Sequence, residues 1–119
     1  MIPIVNELLR VQILFELYEY FFNICTYTEI ERQRYKICSE KKCEVVSALY
    51  YLNDRGLITV RTTDQEDVFI IFIRFRGIDD IEARLRRTNT IILANSCGPI
   101  LIPDFSDVSI YDDNNKDKK

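Results

Sequence analysis

Four cysteines are the residues of this chain best suited to ligate a metal, and Cys38 and Cys43 are separated by four residues. The chain contains no histidine, so a zinc site would need four thiolates. The spacing is wider than that of a zinc knuckle, and nothing in the sequence indicates an oxidising compartment. We therefore expect no metal site and reduced cysteines that are buried or partly buried.

Catalytic chemistry has little support in the sequence. The lack of histidine removes the commonest general base and every Ser-His or Cys-His nucleophile pair. Gly56, Gly77 and Gly98 lie far apart, so no glycine-rich phosphate loop is present. The carboxylates fall in charge runs such as residues 64–67 rather than inside apolar segments. The sequence predicts neither an enzyme nor a bound cofactor.

The charge balance sets a condition on nucleic-acid binding. The 119 residues include 16 Lys and Arg against 19 Asp and Glu, for a net charge of -3. One domain is expected at this length, and any DNA contact must come from a local cationic patch. Apolar runs such as 68–73 are too short to span a membrane. No secretory signal pattern is seen, so a cytoplasmic protein is expected.

Hydrophobic periodicity predicts the elements of the first half. Residues 3–24 have apolar side chains at helical spacing, in a stripe wide enough to suggest a homodimer interface on this helix. Thr28 and Glu31 resemble a capping box, which predicts a short charged helix ending near Lys36. A third helix is predicted over residues 40–54, where Val45, Ala48, Leu49 and Leu52 form one stripe.

Strand-like runs predict a hairpin after Gly56, which suits a helix stop. The runs at 57–63 and 68–75 are rich in β-branched and aromatic residues and flank a polar turn at 64–67. A closing helix is expected over 78–87, and further strands over 90–94 and 100–102. The predicted organisation is a domain at 1–87, an extension at 88–105, of strands or a dimer arm, and a polar, disordered tail at 106–119.

Two segments carry a resemblance to a known superfamily. Residues 45–58, VVSALYYLNDRGLI, look like a recognition helix, its glycine stop and a first wing strand. Residues 71–82, IFIRFRGIDDIE, look like a second wing strand that leads into a closing helix. In this order and spacing they resemble the winged helix-turn-helix superfamily. The resemblance implies an α+β fold with three helices, a two-stranded wing, a closing helix and a short C-terminal extension.

That resemblance also implies a function, because many winged helices place the third helix in the major groove of DNA. It implies a sequence-specific transcriptional regulator that binds double-stranded DNA as a homodimer. Cations on the second helix and at the start of the third would contact phosphates, and polar residues of the third would reach bases or sugars. The implied DNA-binding residues are Arg32, Arg34, Lys36, Lys41, Lys42, Ser47, Tyr50, Tyr51 and Arg61.

The sequence departs from a typical DNA-binding pattern at two places. The wing turn at 64–67 holds three carboxylates, and the outward face of the third helix is polar but not basic. Over residues 26–87 the balance is 12 cations against 11 acids, a net of +1. A second hypothesis therefore stands beside the first: a winged helix used for protein–protein contact within a multi-subunit complex, without DNA binding. Its partner would bind through the first helix.

Overall fold

The structure, a computed structural model, describes residues 3–87 and 99–104, with side chains from Asn6 onward. The described part is an α+β domain that contains three α-helices, one 3₁₀ helix and four strands. The predicted strand at 90–94 and the predicted tail at 106–119 lie outside the described residues. In chain order the elements are α1 (Pro3–Phe21), the 3₁₀ helix (Tyr27–Arg32), β1 (Arg34–Ile37), α2 (Lys42–Asp54), β2 (Ile58–Thr62), β3 (Val68–Ile73), α3 (Phe75–Arg87) and β4 (Leu101–Pro103).

The four strands form one antiparallel sheet in the order β2-β3-β1-β4. The predicted hairpin is present as β2 and β3, with Ile58 opposite Ile73 and Thr62 opposite Phe69. The predicted strand at 100–102 is also present, shifted by one residue as β4, and pairs with β1. All three helices contribute to a core that covers one face of this sheet.

Helix α1 lies at the centre of the domain. Its seven consecutive residues Val11–Leu17 are all buried, which requires neighbours on every side of the helix. The wide apolar stripe therefore packs largely within the chain itself, and it no longer requires a second subunit. Neither α1 nor any other described helix is both long and apolar enough to cross a membrane.

Helix α2 packs as its sequence pattern predicts. Val45, Leu49 and Leu52 are buried in the same core as Ile73, and Leu57 packs against that core at its margin. Two residues after the end of α2 comes Gly56, whose φ of +80° lies in the left-handed region that glycine tolerates. This turn allows the chain to enter β2 directly.

The predicted second helix, from Thr28 to about Lys36, is wrong. The helical part is a 3₁₀ turn that starts at Tyr27, and β1 follows it. Burial alternates along β1, where Tyr35 and Ile37 are buried and Lys36 is exposed, as expected for a strand with one face on a core. The charged residues concealed this alternation in the sequence, and pairing with β3 decides the conformation.

Helix α3 begins at Phe75, three residues earlier than predicted, so Gly77 lies inside the helix. A Cβ atom at Gly77 would lie 2.4 Å from the carbonyl oxygen of Leu57 and 2.7 Å from a side-chain carbon of Ile73. Glycine is therefore required here because α3 approaches the α2–β2 turn closely.

Strand β4 is attached to α1 through the buried carboxylate of Glu16. The backbone N–H groups of Ile100 and Leu101 donate to Glu16 oxygens at 2.9 and 3.0 Å. The Gln12 amide also donates to this carboxylate, at 3.3 Å. Burial raises the pKa of Glu16, although these hydrogen bonds oppose the shift. One acidic side chain thus fixes the edge strand of the sheet.

Candidate nucleic-acid interface

The sheet has one face toward the helices and one face away from them. Tyr35, Ile37, Ile58, Ile71 and Leu101 belong to the core, so they define the inner face. Successive side chains of a strand point to opposite faces, and the cross-strand pairs agree with this division. We call the opposite side the outer face; its strand residues are Arg34, Lys36, Thr59, Arg61, Val68, Ile70, Phe72 and Ile102.

The charges of the sheet are all positive and all on the outer face. The sequences of the four described strands contain Arg34, Lys36 and Arg61 and no carboxylate. Arg34 and Arg61 lie on either side of Ile70, which places their Cα atoms roughly 10 Å apart across two strand spacings. Lys36 lies in the adjacent row, between Val68 and Ile102.

Contacts across the sheet position these cations. The Arg61 guanidinium lies 5.8 Å from the centre of the Phe72 ring, a cation–π distance. Arg74, just after β3, donates to the Thr59 hydroxyl at 2.9 Å and so adds a fourth cation to the outer face. Asp104 lies at the edge of this face, where its backbone N–H donates to the carbonyl of Arg34 at 2.8 Å.

The predicted contacts on α2 form a second surface. Lys41, Ser47 and Tyr50 are exposed, and Tyr50 retains 73% of its surface. Lys42 differs, because its ammonium group lies 2.6 Å from the Asp67 carboxylate at the end of the wing turn. This hydrogen-bonded ion pair raises the pKa of Lys42, so a DNA phosphate would compete with a carboxylate for the cation.

Tyr51 is not available in the way the sequence suggested. The Arg10 guanidinium lies 3.7 Å from the centre of its ring and that of Arg55 lies 5.6 Å from it. The side chain is 37% exposed. Its ring therefore packs against two arginines at the side of α2, toward α1.

The wing turn connects the two surfaces. The carbonyl oxygen of Asp67 accepts the N–H of Ile37 at 3.0 Å, and its side chain pairs with Lys42. The end of β1, the wing turn and the start of α2 therefore meet at one end of the domain. Lys36 and Lys41 are both exposed near this junction.

Eight of the nine predicted residues thus fall into two groups. Arg34, Lys36 and Arg61 share the outer face of the sheet, whereas Lys41, Lys42, Ser47, Tyr50 and Tyr51 lie at or on α2. Arg32 ends the exposed 3₁₀ helix ahead of β1. Arg74 was missed as a site residue because only the pairing of β2 with β3 brings it to Thr59, 15 positions earlier in the chain.

The cysteine prediction is wrong in one respect. Cys25, Cys38 and Cys43 are free thiols, as expected, but all three are exposed rather than buried. Cys97 lies outside the described residues. Within residues 3–87 and 99–104, no three cysteine or carboxylate side chains converge on a possible metal position.

Comparisons of the chain with family models, with curated proteins and with solved structures give no match. The site is therefore interpreted from its own geometry and charge.

Proposed function

We propose that the protein is a DNA-binding domain that contacts the phosphates of duplex DNA mainly through the outer face of its sheet. The observation that carries this proposal is the charge of the strands, in which Arg34, Lys36 and Arg61 all lie on that face without a strand carboxylate. Such a concentration of cations in an acidic protein supplies the local patch that phosphate binding requires.

A winged-helix assignment supports the same function. Helix α2 is followed by a glycine turn, a two-stranded hairpin and a closing helix, as in the winged-helix pattern. The chain departs from that pattern before α2, where β1 and a short turn replace the second helix. We propose a transcriptional regulator of this type, in which Lys41 and the start of α2 extend the contact beyond the wing turn.

A salt-dependent binding titration with mixed-sequence duplex DNA tests the proposal. Each phosphate that is neutralised adds close to one unit to the slope of log affinity against log salt. The double variant Lys36→Gln/Arg61→Gln should therefore weaken binding to all sequences and reduce the slope by roughly two. Both side chains are exposed, so we expect the variant to fold.

The matched control is Arg86→Gln/Arg87→Gln, which removes two exposed cations from the last turn of α3. This control should leave the slope within about half a unit of the wild type, since α3 packs on the helical side of the sheet. Equal losses in the two double variants would mean that net charge, not the outer face, governs binding. No affinity at low salt would refute DNA binding altogether.

A protein-interaction module is the second candidate, and one feature of α2 favours it. Val46 and Tyr50 lie four residues apart on the same side of the helix and are 41% and 73% exposed. A weakly charged surface with an exposed aromatic residue is typical of protein contacts. If DNA binding is absent, this side of α2 is the first surface to test for a partner.

A further inference from the structure

A groove opens where α1, the end of α2 and α3 meet, on the helical side of the sheet. Its volume is about 400 Å³, within the range of small-molecule sites. The floor is apolar and is formed by Val11, Leu14, Leu52 and Leu57. Five charged residues and one tyrosine line its walls: Glu7, Arg10, Tyr51, Arg55, Asp80 and Arg84.

The charges of the walls are not balanced. Asp80 accepts a hydrogen bond from Arg84 at 3.0 Å, so the charges of these two residues neutralise each other. Arg10 and Arg55 both lie within 6 Å of the Tyr51 ring. Neither guanidinium forms a hydrogen bond or ion pair with a described residue. Glu7 is the other carboxylate of the walls, and its side chain is exposed.

Two guanidiniums that line one groove and contact the same ring create a positive potential there, which attracts an anion. Guanidinium donors match a carboxylate or phosphate in geometry. The apolar floor beside them favours a ligand that also has an apolar body, since burial of that body adds to the affinity. The arginines and the apolar floor together therefore favour a ligand that has an anionic group attached to an apolar body.

We propose that this groove binds a small organic acid, with its carboxylate bound by Arg10 and Arg55 and its apolar body against Leu14, Leu52 and Leu57. Tyr51 forms the wall that holds both arginines in place. The proposal does not rest on DNA binding, because the groove lies on the helical side and shares no residue with the outer face. A ligand bound here would contact α2 directly.

Benzoate is the probe for the test, and the chemical shifts of the Leu14, Leu52 and Leu57 methyl groups are the readout. Inorganic phosphate supplies the charge without the apolar body, and benzyl alcohol supplies the body without the charge. Benzoate should give saturable shifts with an affinity at least about tenfold above either, because only benzoate uses both parts of the groove.

The double variant Arg10→Gln/Arg55→Gln should weaken benzoate binding about tenfold or more, since charge-assisted hydrogen bonds are lost. Arg10→Lys/Arg55→Lys keeps the charge but not the planar fork of donors. Its affinity for benzoate should lie between that of the glutamine variant and that of the wild type. The control Arg86→Gln/Arg87→Gln should bind benzoate as the wild type does. Dispersed methyl spectra confirm that each variant is folded.

Three results would overturn the proposal. Equal methyl shifts with benzoate in the wild type and in the Arg10→Gln/Arg55→Gln variant would mean that the arginines do not bind it. Phosphate binding as tight as that of benzoate would reduce the site to a general anion patch. Displacement of benzoate from the groove by a short DNA duplex at low salt would assign the arginines to a nucleic-acid surface instead.

Discussion

Helix α2 and the outer face of the sheet both contain residues that the sequence assigns to DNA, but their charges differ. Helix α2 has one lysine against two carboxylates, Glu44 and Asp54, and that lysine pairs with Asp67. The strands have three cations and no carboxylate. The charge that suits a phosphate backbone is thus on the sheet, whereas α2 offers exposed polar and aromatic groups.

The buried and exposed sides of α2 have different roles in the packing. The buried side of α2 closes the core, and its first turn holds the wing turn through Lys42 and Asp67. On the outer face Val68 and Phe72 are buried, but Lys36 and Arg61 are exposed, and none of the three strand cations belongs to the core. We therefore expect substitutions of buried residues to change stability and substitutions of outer-face cations to change DNA binding.

The largest effect should come from the buried side of α2. Leu49→Ala should lower the free energy of unfolding by about 2–5 kcal/mol, because Leu49 is 2% exposed within the core. The matched control is Val46→Ala on the exposed side of the same helix, which should cost under about 1 kcal/mol. Urea unfolding measures both, and equal losses would mean that α2 is not packed as described.

The attachment of β4 should give the next largest effect. Glu16→Ala should lower the free energy of unfolding by about 2 kcal/mol, because the buried N–H groups of Ile100 and Leu101 lose their acceptor. Glu16→Gln retains an acceptor oxygen, so its free energy of unfolding should lie within about 1 kcal/mol of the wild-type value at neutral pH.

The same residue predicts a pH dependence. Because burial raises the pKa of Glu16 in the folded state, protonation favours folding. Its contribution is complete below the ordinary carboxyl pKa and is lost as the pH rises through the raised value. Glu16→Gln should remove this part of the pH profile in urea unfolding, and an unchanged profile would contradict the prediction.

Phosphate contacts at α2 should give a smaller effect than those at the outer face. Lys41→Ala/Lys42→Ala should reduce the salt slope of DNA binding by at most about one unit, since Asp67 already neutralises Lys42. The outer-face variant Lys36→Gln/Arg61→Gln should reduce it by roughly two. If the α2 variant reduced the slope more than the outer-face variant, the main phosphate contact would lie at α2, as the sequence alone predicts.

The smallest effect is expected for the exposed groups of α2. Ser47→Ala and Tyr50→Ala should change the free energy of unfolding by no more than about 0.5 kcal/mol. If α2 reaches the bases, these variants change the preference among DNA sequences while the salt slope stays constant. Competition between duplexes of different sequence measures that preference, and a loss common to all duplexes would indicate phosphate contact instead.

Much of the local structure follows from the sequence alone. The apolar spacing of α2, the turn at Gly56 and the β-rich runs of the hairpin each depend on residues within a few positions of one another. The predicted stripe of Val45, Ala48, Leu49 and Leu52 is confirmed for the same reason, since all four residues lie in the core.

The remaining features depend on residues that are distant in sequence. Residues 34–37 form β1 because β3 offers a free edge, although their charges suggested a helix. The outer face exists only once that pairing places Arg34 and Arg61 in one row, and Glu16 contacts Leu101 of β4 across 85 positions. Periodicity reports which side of an element is apolar, but the packing of distant segments decides which charges become neighbours.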